Sequence, residues 1–162
     1  MNVSVLGLDM SSTSTGICAG GDCHTITAKG TPIQRAQTMR TEIVPYLVAS
    51  DLVVVEAIAT RSTQTAIAIS FVHALVLDQM TDRDAPVHMI APAQLKKYAT
   101  GKGNADKDVM LLAAVRNGST CNNNDEADAY FLWAIGCHLI GEPVVDVTKY
   151  RSELIATLGV SA

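Results

Sequence analysis

The segment DLVVVEAIA, residues 51–59, decides the fold class of this 162-residue chain. Its three consecutive valines show no polar alternation, which is typical of a strand covered on both faces at the centre of a layered α/β sheet. The strand ends at Glu56, and a carboxylate placed directly after buried valines costs several kcal/mol unless it finds a partner. Because the next basic residue, Arg61, lies beyond the strand, that partner must come from elsewhere in the fold.

The sequence around this segment predicts three layers, helix on sheet on helix, with a mixed sheet. Residues 2–9, 14–20 and 23–29 have strand patterns, and Gly20-Gly21-Asp22 marks a hairpin, so the first three strands should be antiparallel. A further short strand is predicted at 86–90. Helices are predicted from Pro32 to 48 with a bend at Pro45, and at 62–81, 92–98, about 106–116, about 124–140 and about 148–158.

Length and composition predict one domain spanning residues 1–162, with a substantial core. A hydrophobic content of 48% and a charged content of 17% exclude a disordered or fibrous chain. The formal charge of −4 argues against a protein that coats nucleic acid but allows one local basic patch. No basic region precedes an apolar run at the N-terminus, and the longest apolar stretch is too short for a bilayer. We therefore expect a cytoplasmic protein without membrane association.

The cysteines Cys18, Cys23, Cys121 and Cys137 include no CxxC pair. We expect all of them to be reduced, mostly buried thiols. A zinc site built from Cys18, Cys23 and His24 is the alternative, although its spacing matches no common ligand pattern.

Acidic residues occur where a layered α/β sheet places its ligands. Asp9 ends the first predicted strand and Glu56 ends the central one, and such sheets bind ligands at the C-terminal ends of their strands. Asp125 and Asp128, in NNNDEADAYFLWAIG (122–136), project from neighbouring positions on one helix face. An N-cap role for Asp125 and a helix-dipole role for Asp128 are the structural alternatives.

Carboxylates that converge at one sheet edge repel one another, and in proteins bound divalent cations usually neutralise such a cluster. Mg²⁺ takes oxygen ligands and keeps positions for water and for substrate phosphates. Two such ions, about 3.5–4 Å apart, can activate a water and stabilise the leaving oxygen of a phosphodiester. The acid set therefore indicates phosphodiester hydrolysis with two metal ions.

Four sequence blocks in order, GLDMSSTSTG, VVVEAIA, APAQLKKYATGKGNADKDVM and NDEADAYFLWAIG, resemble the RuvC family of Holliday-junction resolvases in the RNase H-like superfamily. The resemblance runs from residue 3 to about 140 and is most like a phage-encoded member. It implies an RNase H-like three-layer α/β fold with a mixed five-stranded sheet flanked by helices. It also implies an endonuclease that uses Mg²⁺ or Mn²⁺ and nicks branched DNA as a symmetric homodimer.

The resemblance also implies a role for each acid. Asp9 would bridge both metals, and Glu56 would share the metal that activates water. Asp125 and Asp128 would complete the set on the leaving-group side. Many bacterial relatives carry an aromatic residue shortly after the strand glutamate, whereas residues 59–61 here read ATR. We therefore expect cleavage of junctions, forks and flaps, with an affinity that depends steeply on salt.

The loop LKKYATGKGNADK, residues 95–107, concentrates lysines in an otherwise acidic chain. Lys107 is predicted to begin a helix, and the positive end of the helix dipole repels a cation at that position. A phosphate bound between Lys107 and the helix N-terminus would be attracted by both. Such lysines would position DNA and stabilise transition-state charge, with Lys107 as a catalytic candidate; a solvated charged loop is the alternative. A P-loop is excluded because no GK[ST] occurs. The candidate DNA-binding residues are Lys96, Lys97, Lys102, Lys107 and Arg61.

The predicted helix 62–81 is apolar nearly all round, so it is either enclosed in the protein or half covered by a partner subunit. In the family this segment helps to form the dimer interface, which makes Phe71 and Leu75 interface candidates. Core packing alone is the alternative.

Two other function classes match parts of the sequence. An actin-like or sugar-kinase-type phosphotransferase also has a phosphate loop after an Asp-terminated first strand, and residues 11–15 would serve. Such proteins normally need two lobes, whereas 162 residues supply one. A catalytically inactive scaffold that binds branched DNA would share the fold, but the intact acid set argues against it.

Overall fold

The computed structural model describes residues 3–60, 62–81 and 85–159. Its strands are β1 (Val5–Met10), β2 (Ser14–Ala19), β3 (Asp22–Thr27), β4 (Leu52–Glu56) and β5 (Val87–Ile90). They form one five-stranded sheet in the order β3-β2-β1-β4-β5. β1, β2 and β3 pair antiparallel, whereas β4 runs parallel to both β1 and β5. The predicted α/β fold with a mixed five-stranded sheet is confirmed.

Helices cover both faces of this sheet. They are α1 (Pro32–Val48), α2 (Thr63–Thr81), α3 (Pro92–Thr100), α4 (Lys107–Arg116), α5 (Asn124–Leu139) and α6 (Lys149–Leu158). α1 begins with a capping box between Thr31 and Gln34, and Pro45 lies inside the helix without ending it. Within the described ranges, no helix is long and apolar enough to cross a membrane.

β4 is enclosed on both faces, which explains its unbroken run of valines. Successive side chains of a strand point to opposite faces of the sheet. Val53 and Val55 belong to the apolar cluster that the sheet forms with α1 and α2, and Val54 belongs to the cluster formed with α3 to α6. On that second face α5 packs across β1, β2 and β4, so it is the helix that ties the centre of the sheet together.

Two glycines allow α5 to lie close against the sheet. A Cβ at Gly7 would overlap the backbone of Ala129 and Trp133, and a Cβ at Gly16 would overlap the carbonyl oxygen of Asp125. The backbone of α5 therefore rests directly on β1 and β2. This close approach brings the acidic first turn of α5 to the edge of the sheet where β1 ends.

The cysteine prediction is wrong for one pair. Cys18 and Cys23 stand directly opposite each other on β2 and β3, with their Cα atoms 4.2 Å apart, and the structure joins them in a disulfide. The hairpin register that makes them neighbours is not visible in a spacing of five residues. Their thiols are thus unavailable for the alternative zinc site with His24. Cys121 and Cys137 are free and buried, as expected.

Candidate active site

Asp9 and Glu56 meet at the edge of the sheet where β1 and β4 end. The two strands are parallel, and Leu8 pairs with Val55, so the residue that follows in each strand is an acid. Each of the two carboxyl groups acts on the pKa of the other, so they lie close together. Burial, followed by the neighbouring carboxylates, raises the pKa of Asp9 well above its ordinary value. Asp9 therefore takes up a proton more readily than an ordinary aspartate does.

The first turns of α5 bring two more acids to this edge. Asn123 is the N-cap of α5, because its side chain accepts a hydrogen bond from the backbone N–H of Glu126. The N-cap alternative for Asp125 is therefore wrong, and Asp125 lies in the first turn instead. Asp125 and Asp128 line the same cavity as Asp9.

We name this space of about 310 Å³ the acidic cavity. Its charged and titratable lining residues are Asp9, Glu56, His73, Lys96, Lys107, Asp125 and Asp128. Burial and then the Glu56 carboxylate raise the pKa of Asp128 to about 7, and Lys107 opposes this rise. Burial also raises the pKa of Glu56, against the lowering effects of Asp9 and the two lysines. The lysines thus offset only part of the repulsion among the acids.

The basic loop divides into residues inside and outside this cavity. Lys96 of α3 and Lys107 of α4 line it, whereas Lys97 and Lys102 are exposed and do not. Adjacent helical residues lie about 100° apart around the axis, so Lys96 and Lys97 face different surroundings. Arg61 lies outside the described residues.

Ser14 holds one oxygen of Asp125. Its Oγ donates a hydrogen bond to Asp125 Oδ2 at 2.5 Å. The backbone N–H and the hydroxyl of Ser11 both donate to the carbonyl oxygen of Ser14, at 2.9 and 2.8 Å, which fixes the turn that carries Ser14. The hydroxyl-rich segment after β1 therefore supports the acid site, a role that its sequence alone did not reveal.

Glu126 fastens the start of α5 instead of joining the acidic cavity. Its side chain is buried, and its carboxylate accepts hydrogen bonds from the backbone N–H of Asn122 at 2.8 Å and from Asn123 Nδ2 at 2.9 Å. Thr25 of β3 donates to the same carboxylate at 3.4 Å. Glu126 thus ties α5 to the edge of the sheet and keeps the adjacent Asp125 in place.

The donor set of the acidic cavity suits hard divalent cations, because it consists of carboxylate oxygens, the ligands that Mg²⁺ prefers. Cations would also relieve the repulsion that raises the pKa of Asp9. In the part of the chain that the structure describes, however, no three Asp, Glu, His or Cys side chains are grouped so that they could hold one ion. The carboxyl of Asp9 lies close to that of Glu56, and the carboxyl of Asp125 accepts a hydrogen bond from Ser14. The carboxylate oxygens are suitable ligands for Mg²⁺, but the acidic side chains would have to change their rotamers to bind the same ion.

His73 of α2 also lines the acidic cavity, and the sequence analysis missed it. It is 5% exposed. The available signal was that His73 is the one titratable residue in the otherwise apolar stretch 66–77. A lone histidine among apolar residues is typical of a core position, so the sequence pattern alone did not indicate a site residue.

α2 packs against α1 and β1, and its outer side is exposed. Ile67 is 53% exposed and Phe71 is 41% exposed, beside a groove of about 460 Å³. Leu75, the other predicted interface residue, is half-buried against the cluster formed with α1. Phe71 therefore lies on the surface, whereas Leu75 contributes to the core.

Gly16→Ala should displace the acid-bearing turn of α5. The added Cβ would overlap the carbonyl oxygen of Asp125, so we expect a loss of about 2–3 kcal/mol in the free energy of unfolding. Urea unfolding measures this loss. The matched control is Gly159→Ala, whose Cβ meets nothing closer than 3.6 Å and should leave the protein as stable as before. Equal stabilities for both variants would contradict the close packing of α5.

No family model matches the chain, and no curated protein matches it. Its fold is similar to the solved structure of Thermus thermophilus RuvC, with a TM-score of 0.69 and 20% identity over 86% of this chain and 98% of that one. It is also similar to T. thermophilus RuvC in complex with a Holliday junction substrate, with a TM-score of 0.66 and 19% identity over 82% of this chain and 91% of that one. The fold is therefore RuvC-like.

Proposed function

We propose that this protein is a metal-dependent endonuclease that nicks branched DNA, resolving Holliday junctions and also cutting forks and flaps. The observation that carries the proposal is the convergence of four carboxylates and two lysines in one cavity on a RuvC-like fold. A protein of similar fold has been solved with a Holliday junction substrate, which supports the choice of branched DNA.

In this proposal Asp9, Glu56, Asp125 and Asp128 hold two Mg²⁺ ions, and Mn²⁺ can substitute. When bound, such ions supply an activated water and stabilise the leaving oxygen of the phosphodiester. The carboxylates provide the ligands, and their burial limits access of bulk water to the reacting phosphate. Because the pKa of Asp9 is raised, binding of cations at the site should be accompanied by release of a proton.

Lys96 and Lys107 would hold the phosphate that is cut. Both line the acidic cavity, and Lys107 stands in the first turn of α4, where free backbone N–H groups also attract anions. They would stabilise the negative charge that develops in the transition state. Lys97 and Lys102, on the exposed surface nearby, would bind flanking backbone phosphates without reading sequence. Arg61 is proposed for the same role.

We further propose that two copies act together through the outer side of α2. A symmetric homodimer presents two identical sites, which suits the paired nicks that resolve a four-way junction. Each nick would leave a 5′-phosphate and a 3′-hydroxyl. A phage-encoded enzyme of this kind would act in the cytoplasm of its bacterial host.

Phe71→Glu should convert the dimer to a monomer, because it places a charge on the exposed apolar side of α2. Light scattering measures the mass, and we expect it to fall to that of one chain. Val109→Glu is the matched control, since Val109 is exposed to a similar extent on α4. A wild-type monomer, or a Phe71→Glu variant that keeps the dimer mass, would refute this interface.

The central experiment offers labelled four-way junctions, forks, flaps and linear duplex to the protein with Mg²⁺ or Mn²⁺. We expect nicks in the branched DNAs, none in linear duplex, and none with EDTA. Resealing of the nicked junctions by DNA ligase reports the expected ends. Absence of cutting of every branched DNA with either metal would overturn the proposal.

A catalytically inactive scaffold for branched DNA is the second candidate. The observation that favours it is the absence, among the residues described, of three side chains already grouped for one metal ion. A scaffold would shift a four-way junction in a gel without cutting it. It would also bind that junction equally well with EDTA and with Mg²⁺.

A further inference from the structure

His73 is a buried polar side chain whose ring nitrogens make no hydrogen bond within the normal limits of distance and angle. It is 5% exposed. The backbone of Met10, directly after Asp9, acts on the ring and raises its pKa, against the larger lowering effect of burial. The ring lines the acidic cavity between α2 and the end of β1.

Such an arrangement is uncommon, because buried polar groups in proteins are almost always hydrogen-bonded. An imidazole without such hydrogen bonds costs stability, and an aliphatic side chain among the apolar residues of α2 would not. Burial lowers the pKa of His73, so the ring is neutral near pH 7, with one N–H donor and one acceptor. The ring is thus equipped to contact a group that enters the acidic cavity.

The surroundings indicate which group this is. An oxyanion is favoured, because the lysines Lys96 and Lys107 line the same cavity. α2 lies on the face of the sheet opposite to α5, so His73 would reach a bound phosphate from the side away from Asp125 and Asp128.

We propose that the imidazole of His73 donates a hydrogen bond to a non-bridging oxygen of the DNA phosphate that is cut, which makes His73 a catalytic residue. This inference rests on the proposed nuclease function and adds a donor to it. Donors of this kind act mainly on the rate at saturating substrate, because they are aimed at charge that develops in the transition state.

The test compares His73→Leu, His73→Gln and the control His88→Leu, which makes the same change at a half-buried position on β5 outside the acidic cavity. For His73→Leu we expect the single-turnover rate on a saturating four-way junction to fall about a hundredfold. Its Kd for that junction, measured with Ca²⁺ in place of Mg²⁺, should change less than about threefold. His73→Gln, which keeps a donor, should recover much of the rate, and His88→Leu should cut like the wild type.

Thermal stability separates this role from a structural one. Because the ring nitrogens make no hydrogen bond of normal geometry, His73→Leu should melt at the same temperature as the wild type or higher. A His73→Leu variant that cuts at the wild-type rate, or one that loses melting temperature and rate together, overturns the inference and leaves the nuclease proposal standing.

A second measurement keeps the inference testable should the wild type cut nothing. The ring N–H signal of His73 is followed by NMR while a four-way junction is added with Ca²⁺. A shift of that signal, absent when linear duplex is added instead, supports a contact with the branched DNA. An unmoved signal overturns the inference whatever the outcome for nuclease activity.

Discussion

Asp9→Asn is expected to lower the cleavage rate of a four-way junction by at least about a thousandfold, a loss typical of removing a preorganised charged group from an active site. Asp9 stands at the centre of the acid set, since Glu56, Asp128 and Asp125 all act on its pKa. An amide keeps the shape of the carboxyl but supplies no charge to bind cations. Binding of the junction, measured by gel shift with Ca²⁺, should stay within a few-fold of the wild type.

The same variant should be more stable than the wild type when no metal is present. Burial and neighbouring acids raise the pKa of Asp9 in the folded state, so the stability it contributes is present at low pH and is lost as pH rises through that pKa. Asn does not ionise, so the Asp9→Asn variant does not lose this stability as pH rises. At pH 8 in EDTA we expect its melting temperature to exceed that of the wild type by roughly 2–4 °C, the shift that about 1 kcal/mol produces in such a domain. The difference should shrink towards pH 4.

Asp22→Asn is the matched control, because it removes the same charge from an exposed position at the start of β3. It should change neither the cleavage rate nor the pH dependence of melting. If Asp9→Asn cuts at the wild-type rate, the nuclease site is wrongly assigned. If it melts lower than the wild type in EDTA at pH 8, the repulsion argument is wrong.

Lys96→Gln should reduce the cleavage rate at saturating DNA by about a hundredfold or more, as expected for loss of a cation aimed at transition-state charge. Lys96 is half-buried and lines the acidic cavity, where it lowers the pKa of Glu56 and of Asp128. Removing it leaves the acids less compensated. We therefore also expect the variant to lose stability in EDTA at pH 8, which differential scanning fluorimetry measures.

Lys97→Gln provides the control at the adjacent position, since Lys97 is exposed and outside the acidic cavity. It should leave the rate at saturating DNA unchanged, and it should weaken binding with a shallower dependence of affinity on salt. If both substitutions lower the cleavage rate at saturating DNA equally, the lysines act only through the overall positive charge of the loop and not through a specific position in the acidic cavity.

The sequence by itself determined the sheet, the helices and the edge at which the first two acids meet. The valines of β4 predicted a strand covered on both faces, and the structure has it between β1 and β5. Gly20-Gly21 predicted the hairpin of β2 and β3. Asp9 and Glu56 could be placed together because parallel strands end at the same edge of a sheet. These inferences need only local periodicity, turn chemistry and strand direction.

The tertiary structure alone decided which side chains complete the site. The rotation of α3 and α2 about their axes placed Lys96 and His73 in the acidic cavity and left Lys97 outside. The close approach of the α5 backbone to Gly16 brought Asp125 within hydrogen-bonding distance of Ser14. The register of the β2–β3 hairpin placed Cys18 opposite Cys23. Each of these contacts links elements far apart or fixes a register, and it depends on how packed surfaces interlock. Local sequence patterns specify which face of an element is apolar, but they do not specify its rotation and depth to the ångström.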